Sequence, residues 1–152
     1  MRGSGIVAVV MALVLVVGAC SDDDDSDEAE SVELPDGAAA VIDDYYEAVA
    51  VQHDSDAMLG LVTEDFQFIA VEGALDSEGW ADQIDLLFEN FGVERLGDPA
   101  VVGGGSEYVV SQAERTTGSG VDDVAFSVMR VVEVDGTWLI GTHSYTETAA
   151  PS

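Results

Sequence analysis

The sequence predicts an α+β domain in which about three N-terminal helices precede a long antiparallel sheet. Three observations carry this. Between Ala38 and Phe91 apolar residues recur mainly at helical spacing; after Gly92 they alternate, as in a strand; and Asp135-Gly136 stands between two apolar runs, where a tight hairpin turn needs positive φ. At 152 residues the chain has room for one hydrophobic core and not two.

Residues 1–19 read as a targeting segment. Met1 and Arg2 form a minimal positive start, Ile6 to Val17 carries no charge, and Val17-Gly18-Ala19 supplies the small residues a signal peptidase accepts. The next residue, Cys20, is the only cysteine in the chain. Together these resemble the lipobox of bacterial lipoproteins. The resemblance implies cleavage before Cys20, a diacylglyceryl group on its thiol and attachment to the extracytoplasmic face of the cell membrane, two acyl chains giving stable anchoring where one is marginal. An ordinary secretory signal is the alternative; a membrane span needs roughly 20 apolar residues, and Gly5 to Ala19 is too short. One cysteine also excludes a disulfide framework and a Cys-rich zinc site.

Residues 20–36 read as an acidic disordered tether, since Ser21-Asp22-Asp23-Asp24-Asp25-Ser26-Asp27-Glu28 has too little apolar surface to offset the entropy of ordering. Fully extended it reaches roughly 55 Å. It lacks the glycine turn and spaced bidentate Glu of an EF-hand loop, which argues against specific calcium binding. The whole chain sets 31 acids against four Arg and no Lys, a net charge of −27. Nine of those acids lie in the tether, so residues 37–152 carry 22 acids against three Arg, or −19. Such a domain is strongly hydrated and cannot build the basic patch that nucleic acid requires.

The domain, residues 37–152, begins with a helix. Pro35-Asp36-Gly37 stops the tether and offers Asp36 as N-cap, and Val41, Ile42, Tyr45, Ala48 and Val49 share a face opposite Asp43, Asp44 and Glu47. His53 falls at its C-terminal end. Asp54 caps a short second helix through Met58, Leu59 and Val62; Thr63-Glu64-Asp65 turns the chain into a strand over Phe66 to Val71. A third helix starts at Leu75-Asp76-Ser77, with Trp80, Ile84, Leu87, Phe88 and Phe91 on one stripe before Gly92. Strands are predicted over Tyr108 to Arg115, Val124 to Val134 and Thr137 to Thr146, with a weaker one in Val93 to Val102. Gly103-Gly104-Gly105 and Gly118-Ser119-Gly120 separate them.

The Asp135-Gly136 turn sets a register. Unbroken alternation from Val134 opposite Thr137 pairs Val132 with Leu139, Arg130 with Gly141, Val128 with His143 and Phe126 with Tyr145 on one face. The other face then carries Val131 with Ile140, Met129 with Thr142 and Ser127 with Ser144. Both faces are apolar near the middle, so helices are expected on one and a second copy of the chain on the other.

The order helix, short helix, strand, helix and antiparallel meander resembles the NTF2-like superfamily, with its SnoaL-like cyclases and ketosteroid isomerases. Asp43-Asp44-Tyr45-Tyr46-Glu47-Ala48, His53-Asp54-Ser55-Asp56, Thr63-Glu64-Asp65-Phe66 and Val134-Asp135-Gly136-Thr137-Trp138-Leu139-Ile140 carry the likeness, over about residues 37 to 148. It implies a cone, a curved antiparallel sheet wrapping the helices around an apolar pocket, and a homodimer through the sheet. The Asp that serves ketosteroid isomerases as base falls here near Ala70 or Val71, with Glu72 one or two positions off. Some relatives carry a His on the sheet face of the C-terminal Trp, where unbroken alternation puts Thr142 and Ser144 and turns His143 away.

The candidate pocket residues are Tyr45, Trp80, Arg130, His143 and Tyr145. Arg130 is mid-strand, where a buried guanidinium needs a carboxylate from the domain or from a ligand. His143 and Tyr145 share its predicted face, so the three converge on a small acid or enol, or serve as a core His and an edge Tyr. Tyr45 and Trp80 line a pocket mouth or the core. No phosphate loop, Ser-His-Asp order or metal spacing is present, so neither cofactor nor metal is expected. The expected function is non-catalytic binding of a small apolar ligand or a protein partner; the alternative is a SnoaL-like isomerase with His143 as acid or base and Arg130 or Tyr145 stabilising an enolate.

Overall fold

The computed structural model describes residues 32–87 and 90–147. The leader, Cys20 and nearly all of the tether lie outside these residues, as does Phe88 of the third-helix stripe. The element order is α1 (Asp36–Tyr46), a π-helical continuation (Glu47–Gln52), α2 (Ser55–Leu59), β1 (Val62–Ala70), β2 (Gly73–Asp76), α3 (Ser77–Leu87), β3 (Gly92–Gly104), β4 (Glu107–Gly118), β5 (Val121–Val134) and β6 (Thr137–Glu147). Among the described residues no helix is long and apolar enough to cross a membrane.

The helices form on their apolar stripes, although α3 ends at Leu87 and leaves Phe91, expected on its stripe, outside the helix just before β3. Ala38, Val41, Ile42 and Tyr45 of α1 are buried, as are Trp80, Ala81 and Ile84 of α3. Asp54 caps α2, its Oδ1 accepting from Ala57 N at 2.9 Å, and Asp76 Oδ1 accepts from Gly79 N at 2.9 Å at the start of α3. Asp36 is not an N-cap: it is the first helical residue, where its charge favours the helix dipole, and Pro35 precedes it in extended geometry (φ −56°, ψ 145°) without a side-chain cap. Thr63, Glu64 and Asp65, expected as a turn, are strand residues of β1, and Val62 also departs from its expected helix. It opens β1, because the chain at Leu61 is already bound to the sheet, Ile140 N donating to Leu61 O at 2.9 Å.

The six strands form one sheet in the order β2-β1-β6-β5-β4-β3. The sheet is mixed, not wholly antiparallel, because β1 runs parallel to β6 while all other neighbours are antiparallel. Helices α1 and α3 pack their buried stripes with Phe66 and Phe68 of β1, Val110, Met129, Val131 and Ile140 to make the core. The opposite face of the sheet leaves Phe126 49% and Val124 41% exposed.

The hairpin turn forms as predicted, with Asp135 at φ 51° and Gly136 at φ 80°, and pairs Val134 with Thr137 through Val131 with Ile140. Beyond that the predicted register fails. The next pair is Arg130 with Thr142, followed by Met129 with His143, Val128 with Ser144 and Ser127 with Tyr145. Gly141 is the extra residue of a β-bulge, and one extra residue turns every later side chain of β6 to the other face. Glycine suits this place because a Cβ there would lie 2.8 Å from Arg130 Nη1. His143 and Tyr145 thereby join the inner face, and Arg130 stays outside.

Candidate functional site: an aromatic cavity in the cone

Between the helices and the inner face of the sheet lies a cavity of about 320 Å³. Its walls are mainly aromatic and aliphatic: Tyr45, Tyr46 and Val49 from the first helix, Phe68 from β1, Trp80 from α3 and Phe91 before β3. The polar lining comes from Glu114 and Thr116 of β4, Asp123 of β5, and His143 and Tyr145 of β6. Phe68 and Trp80 stack nearly parallel, ring centroids 3.7 Å apart and planes 5° from each other.

One side of the cavity is organised by a hydrogen-bond relay. Trp80 Nε1 donates to Tyr45 Oη at 2.9 Å, and Tyr45 Oη lies 3.1 Å from His143 Nδ1. Indole N–H is a donor only, so Tyr45 accepts from Trp80 and its own hydrogen is free for Nδ1, which places the imidazole hydrogen on Nε2. His143 is 5% exposed and Nε2 has no partner among the described residues. Burial depresses the His143 pKa to about 3, so the ring is neutral at ordinary pH. Burial raises Tyr45 far above the ordinary phenol value.

A second polar group comprises Glu114, Tyr46 and Ser127. Tyr46 Oη donates to Glu114 Oε1 and lies 3.0 Å from Ser127 Oγ. Glu114 is 2% exposed, and burial pushes its carboxyl above the ordinary carboxylate range; the Ser127 and Tyr46 hydroxyls and the charge of Arg95 pull the other way. Arg95 lies over the Tyr46 ring, 4.8 Å from its centroid, and its Nη2 pairs with Asp43 Oδ1 at 2.7 Å.

Of the five residues singled out from the sequence, four line this cavity. Tyr45 and Trp80 do so as deeply buried residues rather than at a mouth, at 0% and 3% exposure. Tyr145 is half-buried, its Oη 3.0 Å from Thr116 Oγ1. Arg130 does not join them: its Nε and Nη2 donate to Glu107 Oε1 and Oε2 at 3.0 and 3.3 Å on the other side of the sheet. The predicted convergence of Arg130 with His143 and Tyr145 is therefore corrected by the bulge at Gly141, and Arg130 has the carboxylate of the domain as its partner. The same bulge puts His143 on the inward side with Ile140, the side unbroken alternation denied it. Sequence reasoning missed Tyr46, Glu114 and Ser127. Alternation along β4 from buried Tyr108 and Val110 through Gln112 carries the signal, because Glu114 is the next inward position. Among the described residues no group of three or more His, Cys, Asp or Glu is placed to hold a metal.

No known family pattern matches the chain, and no curated protein matches it. Solved structures do. A Salmonella enterica serovar Typhimurium protein of the nuclear transport factor 2 (NTF2-like) superfamily aligns with a TM-score of 0.64 at 14% identity, over 74% of this chain and 89% of that one. An NTF2-like protein from Cytophaga hutchinsonii gives 0.62 at 16% identity, over 72% and 94%. A ketosteroid isomerase-like protein from Erwinia carotovora atroseptica gives 0.58 at 18% identity, over 75% and 95%. A curved sheet packed with a few helices is the fold these neighbours share with the chain. The fold is the NTF2-like fold, whose neighbours here carry provisional isomerase, dehydratase and ring-hydroxylase names; a fold of that breadth leaves function to the site.

Proposed function

We propose that the chain is a lipid-anchored extracytoplasmic module whose cone binds a small, mainly apolar molecule. The observation that carries the binding is the aromatic cavity, with Tyr45, Phe68 and Trp80 held rigidly by stacking and the relay to His143. Preformed apolar cavities with a few fixed polar groups are the usual form of small-molecule sites. The anchoring rests on the leader, Cys20 and the acidic tether. Native mass spectrometry of the full chain, purified without denaturant, is expected to show a retained small molecule that Ala70→Phe, at a residue of the cavity lining, expels. A bare chain that also takes up no tetralin would falsify the binding reading. Cys20→Ala is expected to move the protein from the membrane to the soluble fraction. The same reading makes the outer sheet face around Phe126 a homodimer contact, so Phe126→Glu should shift a dimer to monomer in sedimentation.

A second reading, a SnoaL-like isomerase or cyclase acting on a small ketone, has one observation in its favour: a buried carboxyl with a raised pKa beside a cavity is suited to proton transfer. Glu114 takes the acid–base role in it, since burial makes His143 too weak a base to hold a proton at ordinary pH and Arg130 lies outside the cavity. Turnover of a ketone library lost in Glu114→Gln supports it; no turnover by the unmodified chain counts against it.

A further inference from the structure

Fully buried carboxyls are rare unless an opposite charge accompanies them. Glu114 lines the cavity at 2% exposure, and its hydrogen-bond partners are the hydroxyls of Tyr46 and Ser127. No salt bridge reaches it among the described residues: the three guanidinium groups are paired with Asp43, Asp122 and Glu107. Among the described residues the cavity lining holds no Lys or Arg, its imidazole is uncharged, and its second acid is Asp123. The same lining carries the rings of Tyr45, Tyr46, Phe68, Trp80 and Phe91, groups whose π-electrons attract cations. The domain as a whole carries −19, a field that draws cations in and repels anions.

We infer that the molecule bound in the cone is a small hydrophobic amine, its ammonium group pairing with the Glu114 carboxylate and its apolar body lying among the aromatic walls. This rests on the cavity-binding reading and narrows it to one chemical class. An anionic ligand meets two acids and no cation. A plain hydrocarbon fits the walls and leaves Glu114 without an ion-pair partner, since Arg95, whose charge reaches it, is already paired with Asp43.

The test is calorimetric titration of the full chain with three compounds of one shape: tetralin, 2-aminotetralin and tetralin-2-carboxylate. The amine is expected to bind about tenfold or more tighter than tetralin, as a hydrogen bond to a charged group allows, and the carboxylate more weakly than tetralin. In Glu114→Gln the amine should lose its advantage while tetralin affinity holds; in Asp123→Asn the advantage should remain. Equal binding of amine and tetralin, or an advantage that survives Glu114→Gln, overturns the inference and leaves apolar binding standing. If none of the three binds, both readings fall. Should Glu114→Gln not fold, pH serves instead. The titratable and charged groups around Glu114 are Tyr46, which hydrogen-bonds it, Arg95, whose charge reaches it, and Tyr45, Asp123, His143 and Tyr145, which share the cavity lining. The amine-to-tetralin ratio should rise with pH as Glu114 ionises, and a flat ratio between pH 5 and 8, on the order of the window in which buried carboxyls titrate, overturns the proposal.

Discussion

Two carboxyls on β4, seven residues apart, are held in opposite ways. Glu107 lies on the outer side of the sheet, and the Arg130 guanidinium beside it holds its carboxyl below the ordinary carboxylate range. Glu114 lies on the inner side, where burial raises it. An odd separation along a strand puts two side chains on opposite faces, so one β-strand presents the same functional group to water and to the core. The difference shows that chemistry is set by the face and not by the residue type. What separates Arg130 from His143 is the same logic with a bulge inserted.

The largest break in that comparison comes from removing the bulge. Deleting Gly141 restores plain alternation, which turns His143 and Tyr145 outward and brings Thr142 and Ser144 into the cavity; the expected result is loss of cooperative thermal unfolding by circular dichroism. A melt like that of the unmodified chain would mean the bulge does not set the inner face. Next in size is Trp80→Ala. It removes a 3% exposed ring stacked on Phe68 and strips Tyr45 of its donor, for an expected loss of about 3–5 kcal/mol in denaturant titration.

The pH response sharpens the comparison further. Glu114 is raised in the folded chain above its unfolded value near 4.5, so between those two values the folded chain keeps a proton that the unfolded chain has released, and stability falls as pH rises through that window. His143 works in the opposite direction. Its folded value is about 3 against 6.5 unfolded, so on acidification from 6.5 toward 3 the unfolded chain takes up a proton the folded chain refuses, and stability falls as pH falls. Glu114→Gln should flatten the first slope and His143→Phe the second, read as denaturation midpoint against pH. The smallest effect belongs to the outer face. Arg130→Ala breaks an ion pair whose side chains are 40% and 52% exposed, and should change stability by no more than about 1 kcal/mol and leave tetralin binding unaltered.

Much of the fold is legible in the sequence because local and tertiary demands agree. The stripes of α1 and α3, the Asp54 cap and the Asp135-Gly136 turn each follow from short-range chemistry, and each forms. The short strand β2 was hidden because Gly73 to Asp76 carries no alternation long enough to read, and Val62 was misread because helical and strand spacing coincide over so few residues. In the site, Tyr45, Trp80, His143 and Tyr145 were legible as polar-tipped rings on apolar elements. Arg130 looked the same on paper.

The sequence alone determines the α+β class, the order of helices and strands apart from β2, the turn that starts the last hairpin, and the net acidity, because these depend on residue periodicity, on glycine at positive φ and on counted charge. Tertiary structure decides which face each later residue of β6 occupies, that β1 lies parallel against β6, and that Glu114 and His143 end beside one cavity. Those outcomes depend on one unpaired glycine and on contacts between residues far apart in the chain, such as Tyr45 with His143, 98 positions away, which no local pattern encodes.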